Sequence, residues 1–415
     1  MCDGPVVGYG SPHRSGRVDA CVQSGWNVSP PDSFPAQRGR LVYLCLEPIE
    51  EGRASYAHVH EIIAGLRRRG WRVRLYSPSY REGAGRVGLG VRFGEVLRVQ
   101  RRMWRENPDA DAIYIRTHVA AFPTSLWARR HGIPVVNEVN GTYEDLFIPW
   151  PQTRRVGYLV RWVWRRELGI ASSVLAVTQG LADRVRRESG SNQVACVPNG
   201  VNTDVFRPEC REPVADRPPY AVFVGNLAAW QGIPTLLSAV RSASWPEGLQ
   251  LLIVGDGAER RAVEAAADGE RVVYRGPVPY ADVPHVVAGA VISLSVQNNL
   301  GQRSTTGLYP LKVFESMACG VPVIVSDFAG QADLVRSTKC GLVVPPENPA
   351  ALAEAVASLY LSPSRRCEMG RLGREAAVSE HSWDVRAGRV DEVLAKLVER
   401  PQSVPPDRSR PSSSS

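Results

Sequence analysis

Short apolar runs at 41–46, 73–76, 112–115, 135–139, 174–177 and 194–197 alternate with longer stretches whose apolar residues recur at helical spacing. After a proline- and arginine-containing stretch at 207–219 the pattern restarts, with runs at 221–224, 249–254, 271–274, 291–294, 321–325 and 341–344. Buried strands separated by helix-length segments predict βαβ units and parallel sheets. Two such arrays give an α/β chain of two doubly wound, Rossmann-like domains facing across a cleft. Ligands in this architecture sit at the carboxyl ends of the strands. Residues 1–39, rich in Gly, Pro and Ser, are expected to form a disordered N-terminal extension, and 400–415 a disordered tail. Between them lie a first domain at 40–208 and a second at 215–381. A last helix at 382–399 either packs on its own domain or crosses back to the first.

Composition narrows the partners. A length of 415 residues suits two domains, and 44% hydrophobic content suits a globular chain. The net charge of +8 comes from 50 basic residues of which only Lys312, Lys339 and Lys396 are lysines. That skew reads as a GC-rich coding sequence, and the arginines are spread out, which argues against nucleic acid. An anionic small substrate or an anionic membrane surface remains compatible with the charge. The 8 cysteines form no Cys-x-x-Cys pair and read as reduced thiols of a cytosolic protein. No apolar run long enough to span a membrane occurs, and the N-terminus lacks the apolar core of a secretory signal. The expected location is the cytoplasm or the inner face of the membrane.

The segment Leu308-Tyr-Pro-Leu-Lys-Val-Phe-Glu-Ser-Met-Ala-Cys-Gly-Val-Pro-Val-Ile-Val-Ser326 holds the densest chemistry. It reads as a helix opened by Pro310, stopped at Gly320 and followed by a buried strand. Lys312 and Glu315 are three apart and share a helix face, either as a surface salt bridge or as part of an anion site. The free N–H groups of the first turn favour the second, and Thr305-Thr306-Gly307 gives a small-residue approach to the backbone. Earlier, Val197-Pro-Asn-Gly-Val-Asn-Thr-Asp-Val-Phe-Arg-Pro208 reads as an Asn-Gly turn with an extended exit that carries Phe206.

Together these stretches resemble the nucleotide-sugar glycosyltransferases of family 4, which have the GT-B fold. The first is similar to that family's Glu-(Ala/Tyr)-Met-Ala-x-Gly-x-Pro-Val, the second to its Asn-Gly-Val-Asp-x-x-x-Phe-x-Pro. Leu252-Ile-Val-Gly-Asp-Gly257 and Tyr274-Arg-Gly-Pro277 resemble two further elements in the same order. The likeness spans about residues 40–399. It implies retaining transfer from a nucleotide-diphosphate sugar held mainly by the second domain, with no metal ion and no cofactor. Glu315 matches the glutamate that hydrogen-bonds the donor ribose, and Gly225 the glycine that lets the diphosphate approach the backbone. Gly276 lies in the region lining the base pocket. Gly255–Gly257 reads as a strand-end turn. The helix at 382–399 matches the one that packs on the first domain.

Two departures stand out. Eight residues before Glu315, where the family has a glutamate touching the donor sugar, this chain has Gly307. The family's Gly-Arg-x-x-x-x-Lys-Gly is here Gly225-Asn226-Leu-Ala-Ala-Trp-Gln231-Gly232, so Asn226 and Gln231 replace both phosphate-binding cations. The resemblance is to a sub-branch with Trp-Gln-Gly and Pro-Leu-Lys in these places. Lys312 is then expected to neutralise the phosphate charge, aided by the helix N-terminus and Arg303.

In the first domain, Glu138 and Asn140 end a strand at the presumed cleft, matching a His-Asp or Glu-Asn pair that positions the acceptor or steadies the sugar. Front-face transfer in this family uses the leaving phosphate as proton acceptor, so Glu138 needs only to act electrostatically. Ser55 is expected to cap the helix after the loop 50–54 and to aim N–H groups at the donor phosphate. His58 and His60, two apart, do not share a helix face, so no metal is expected. The basic, aromatic stretch 150–166 fits either an interfacial membrane helix or a partly buried helix with solvated arginines. Rival readings are a nucleotide-sugar epimerase, which needs converging acid/base groups, and a binding protein that lost catalysis with Gly307, Asn226 and Gln231.

Overall fold

The computed structural model describes residues 38–50, 54–80, 88–147, 150–210, 218–299 and 305–399. The expected extension up to residue 37, the tail from 400, part of the linker at 211–217, residues 51–53 of the first glycine loop and Arg303 lie outside the described residues.

The first sheet comprises β1 (Gly39–Cys45), β2 (Trp71–Tyr76), β3 (Ala112–Arg116), β4 (Val135–Val139), β5 (Ser173–Ala176) and β6 (Val194–Cys196), in the order β2-β1-β3-β4-β5-β6. The second comprises β7 (Tyr220–Val224), β8 (Gln250–Val254), β9 (Val272–Gly276), β10 (Ile292–Ser295), β11 (Val323–Ser326) and β12 (Gly341–Val344), ordered β12-β11-β10-β7-β8-β9. Every ladder is parallel. The order reverses between β1 and β3 in one sheet and between β7 and β10 in the other. Diverging crossovers open a crevice at those points.

Helices α1 (Ala54–Arg68), α2 (Leu89–Glu106), α3 (Phe122–Arg130), α4 (Gly157–Ile170) and α5 (Gln179–Ser189) follow the first strands in turn. In the second half come α6 (Ile233–Ala239), α7 (Arg260–Ala266), α8 (Val283–Ala288), α9 (Leu311–Ala318), α10 (Gln331–Thr338), α11 (Pro349–Tyr360), α12 (Pro363–Ser379) and α13 (Trp383–Val398). Alternation along the strands splits each core by face. Tyr43, Tyr114 and Val136 meet Val59, Ile62 and Leu66 of α1, whereas Val42, Ile113 and Val135 meet Val96 and Met103 of α2.

Two of the expected boundaries shift. Strand β1 already includes Gly39, and α1 begins at Ala54, so Ser55 lies inside the first turn and not at the cap.

The last helix lies on α1, because Trp383, Val390 and Leu394 complete the apolar face that Val59 and Ile62 begin. Polar contacts fix its register: Trp71 Nε1 donates to Asp391 at 2.7 Å, and Arg69 grips Asp384. The chain thus passes between the two sheets twice, and the passages pair. Val201 N–H donates to the His381 carbonyl and Trp383 N–H to the Val201 carbonyl, each at 3.0 Å. Gly200 is required there, since a Cβ would lie 3.0 Å from both His381 O and Trp383 N. Phe206 is fully buried beside Tyr280. Burial of such a ring stabilises the exit by roughly 1.5–3 kcal/mol.

Candidate active site

At the mouth of β7 the backbone turns at Gly225 with φ +143°, a conformation that only glycine adopts readily. A Cβ there would stand 3.1 Å from Lys312 Nζ. The lysine arrives from the first turn of α9, whose N-cap, Pro310, supplies no side-chain cap; the Val313 N–H turns back to the Pro310 carbonyl at 3.1 Å. Its ammonium donates to Gln231 Oε1 at 3.0 Å and lies 3.7 Å from the centroid of the Phe223 ring. Among the described residues the cation at this strand mouth therefore comes from α9, reaching the glutamine that stands where the family motif has lysine. Asn226 is exposed, and its Oδ1 leans over Gly257, where a Cβ would clash at 2.5 Å.

Among the described residues Lys312 and Glu315 form no direct ion pair: the lysine turns to Gln231, and the buried glutamate makes no side-chain hydrogen bond. Burial pushes the Lys312 ammonium down to about 7, with Glu315 opposing. Burial pushes the Glu315 carboxyl up to about 7, with Lys312 opposing. Two groups of opposite charge are thus each held short of full ionisation, which suits a site completed by a polar, anionic ligand.

Gly255 and Gly257 are close-packing turns. A Cβ on Gly255 would overlap the Gly225 carbonyl at 1.8 Å, and Tyr274 Oη donates to the Gly255 carbonyl at 2.9 Å. Gly276 ends β9 at φ +71° with open space over its α-carbon. Gly307 is unlike these. Its φ is +87°, and a Cβ would meet Ala329 O at 3.2 Å and Thr178 Cβ at 3.4 Å. The Thr305–Gly307 loop is docked on the start of α5: Thr178 Oγ1 donates to Thr306 O, and it also caps α5 by accepting from Leu181 N–H. Any side chain at 307 would be strained at this φ and would need Ala329 O to give by a few tenths of an ångström.

Facing this, Glu138 is the penultimate residue of β4, next to Arg116 across the ladder. Oε2 accepts from His58 Nε2 at 2.8 Å and from Tyr114 Oη, and Oε1 from Arg116 Nη1 at 2.9 Å and from Asn140 Nδ2. Burial disfavours its charge. The His58 charge and bond, Arg116 and Asn140 outweigh that and hold it well below the usual carboxylate range. With all four lone-pair directions filled, Glu138 is a fixed negative charge and not a proton acceptor. Asn140 is spent on Glu138, and Ser55 lies one turn before His58 on α1.

His58 connects the two halves. Its Nδ1 lies 3.0 Å from Asn199 Oδ1, and Asn199 Nδ2 donates to the Tyr309 carbonyl at 2.9 Å, just ahead of α9. Sequence reading missed this chain. Asn199 was legible only as a turn residue, and His58 only as a poor metal ligand. Arg116 carried one faint signal, a charge at the carboxyl end of an apolar run. Among the described residues no three His, Cys, Asp or Glu side chains gather as a metal site.

Two parallel doubly wound sheets with a cation and a carboxylate at the second sheet's switch point define a GT-B glycosyltransferase. The model for "Glycosyl transferases group 1" matches residues 218–362, and that for "Glycosyltransferase Family 4" matches 57–205. A GDP-mannose-dependent alpha-mannosyltransferase of Mycobacterium tuberculosis is 30% identical over 302 residues, 68% of this chain and 73% of its own. The phosphatidyl-myo-inositol mannosyltransferase of Mycobacterium leprae is 27% identical over 377 residues, 85% of this chain and 95% of its own. Sucrose-phosphate synthase from Thermosynechococcus elongatus superposes with TM-score 0.70 at 20% identity, covering 87% of this chain and 99% of that one. The chain belongs to glycosyltransferase family 4.

Proposed function

We propose that this glycosyltransferase moves a hexose from a nucleotide-diphosphate sugar with retention of configuration. The observation that carries the reading is Lys312 Nζ at the Gly225 turn, beside the unpartnered, buried Glu315. The diphosphate would lie against the Gly225 backbone, with Lys312 and the N-terminus of α9 balancing the charge that grows on the leaving group. Glu315 would take a ribose hydroxyl. Glu138, already saturated, would anchor the acceptor side of the site and not act as a base, while the departing phosphate accepts the acceptor's proton. Closure of the cleft would exclude water and favour transfer over hydrolysis. No metal or organic cofactor takes part in this scheme.

The test is nucleotide release from a panel of UDP-, GDP- and dTDP-sugars, with the anomeric configuration of the product read by NMR. Failure to bind any donor would sink the transferase scheme, and an inverted anomeric centre would remove the front-face route. Sugar epimerised at C2 without transfer would select the epimerase. Donor bound without turnover would select the inactive binding protein.

A membrane-borne acceptor is supported by one face of the first half. The first two turns of α2, α3 and α4 all follow the carboxyl ends of their strands, on the cleft side. They expose Val91, Phe93, Tyr158, Leu159 and Trp162, and the Phe122 ring meets Trp162 edge-on. Arg154 and Arg155 are exposed beside them, and residues 150–166 contain no acid. Trp164, by contrast, is core. Aromatic side chains with arginines suit an anionic lipid surface. No helix among the described residues is long and apolar enough to cross a membrane. Sedimentation with phosphatidylglycerol vesicles should be lost in Phe93→Ser/Trp162→Ser, and binding unchanged by that pair would refute the assignment.

A further inference from the structure

The hydrogen-bond accounting around His58 has one solution. The ring is buried, and its Nε2 faces Glu138 Oε2 at 2.8 Å, an atom of an ionised carboxylate with no proton to give. Its Nδ1 faces Asn199 Oδ1 at 3.0 Å. The Asn199 amide cannot be turned round, because its nitrogen donates to the Tyr309 carbonyl at 2.9 Å and a flip would set oxygen against oxygen. Both partners are therefore acceptors. A neutral imidazole carries one N–H and would leave a lone pair against the other.

We propose that His58 is a positioning residue whose doubly protonated ring ties Glu138 to the Asn199–Tyr309 strut at the head of the Lys312 helix. This rests on the transferase reading of the same site. The strut is held independently at its middle, since Arg386 Nε donates to the Asn199 carbonyl at 3.1 Å. The ring meets Glu138 on β4, which Tyr114 and Arg116 of β3 also bond, Asn199 after β6, whose carbonyl Arg386 of α13 holds, and Trp383, edge-on with ring centroids 4.9 Å apart. Among the described residues Glu138 is the acid that bonds His58; Glu47 pairs with Arg116 at 3.3 Å. Losing either ring proton breaks one arm. The acceptor-side carboxylate and the donor helix then lose their common brace, and a shift of the reacting groups by about 1 Å lowers the rate by roughly 100-fold.

The measurement is a long-range ¹H–¹⁵N correlation on the full chain labelled in its 7 histidines. At neutral pH one ring should show protons on both nitrogens, a signal absent from His58→Gln. A His58 ring with one bare nitrogen overturns the proposal whatever the enzyme turns over. In assays, His58→Gln should lose about 10- to 100-fold in kcat while donor KM moves less than about threefold. Asn199→Asp separates charge from strut: it keeps an acceptor for the ring but can no longer donate to Tyr309 O. Its ring signal should persist while kcat falls by a similar factor, and full activity in Asn199→Asp would refute the strut. A wild-type enzyme with no turnover on any nucleotide sugar defeats the transferase reading alone and leaves the ring assignment standing or falling on the NMR.

Discussion

Lys312→Met removes the cation from the proposed donor site while keeping most of the stem that lies over Phe223. At an effective dielectric near 20, unit charges about 4 Å apart attract by roughly 4 kcal/mol. The ammonium sits 3.0 Å from Gln231 Oε1 and next to the Gly225 turn, so a phosphate oxygen on that backbone would fall within such a range. Charging a lysine whose pKa lies at about 7 costs little at neutral pH, about 0.4 kcal/mol for a half-protonated group. Most of the attraction is therefore available to the transition state, in line with the ~3–4 kcal/mol lost with a single oxyanion-type donor. Lys312→Met should lower kcat/KM by about 100- to 1000-fold. The assay is nucleotide release from whichever sugar nucleotide the wild type turns over, paired with calorimetric titration of the nucleoside diphosphate. Retention of kcat/KM within about threefold, under ~0.7 kcal/mol, would show that the missing cations at 226 and 231 are not replaced by Lys312.

Other expectations follow from the same geometry. Gly307→Glu, which restores the family's residue, should give no new donor discrimination and should cost about 1–3 kcal/mol, because φ is +87° and Ala329 O blocks the Cβ; an unchanged urea midpoint would refute this. Glu138→Gln turns an amide donor toward existing donors and should cost about 3–5 kcal/mol, seen as a lowered thermal midpoint. The pH dependence has a definite sign. Glu315 is raised from 4.5 to about 7, so its contribution is present below 4.5 and is lost as pH climbs through 7. Lys312 is lowered from 10.5 to about 7, so its contribution is present above 10.5 and is lost as pH falls through 7. These two groups therefore favour the ligand-free fold least near pH 7, and Glu315→Gln should flatten the acid side of that minimum in thermal scans. Diphosphate binding should draw a proton onto Lys312, measured as a buffer-dependent calorimetric enthalpy; an enthalpy independent of buffer ionisation would contradict it.

The sequence makes the strands β1–β12 and their parallel pairing legible, because short apolar runs separated by helix-length segments call for βαβ units, even though edge strands such as β2 leave alternate residues exposed. It also determined the α9 motif, since Pro310, Lys312, Glu315 and Gly320 act within one helix and its ends. What it left open was long-range. Whether Lys312 pairs with Glu315 or crosses to Gln231 is decided by which strand mouth α9 packs against, 81 residues away in sequence. Asn199 reads locally as a turn, yet its amide is oriented by a carbonyl 110 residues on and a ring 141 residues back. Gly307 reads as a missing glutamate, and only the folded loop shows that a side chain there is strained and crowded by Ala329 O. Local periodicity fixes elements because their energetics are set by neighbours within a turn or a pleat. Proton placement and charge pairing are set by groups that only folding brings together, so they belong to the tertiary structure alone.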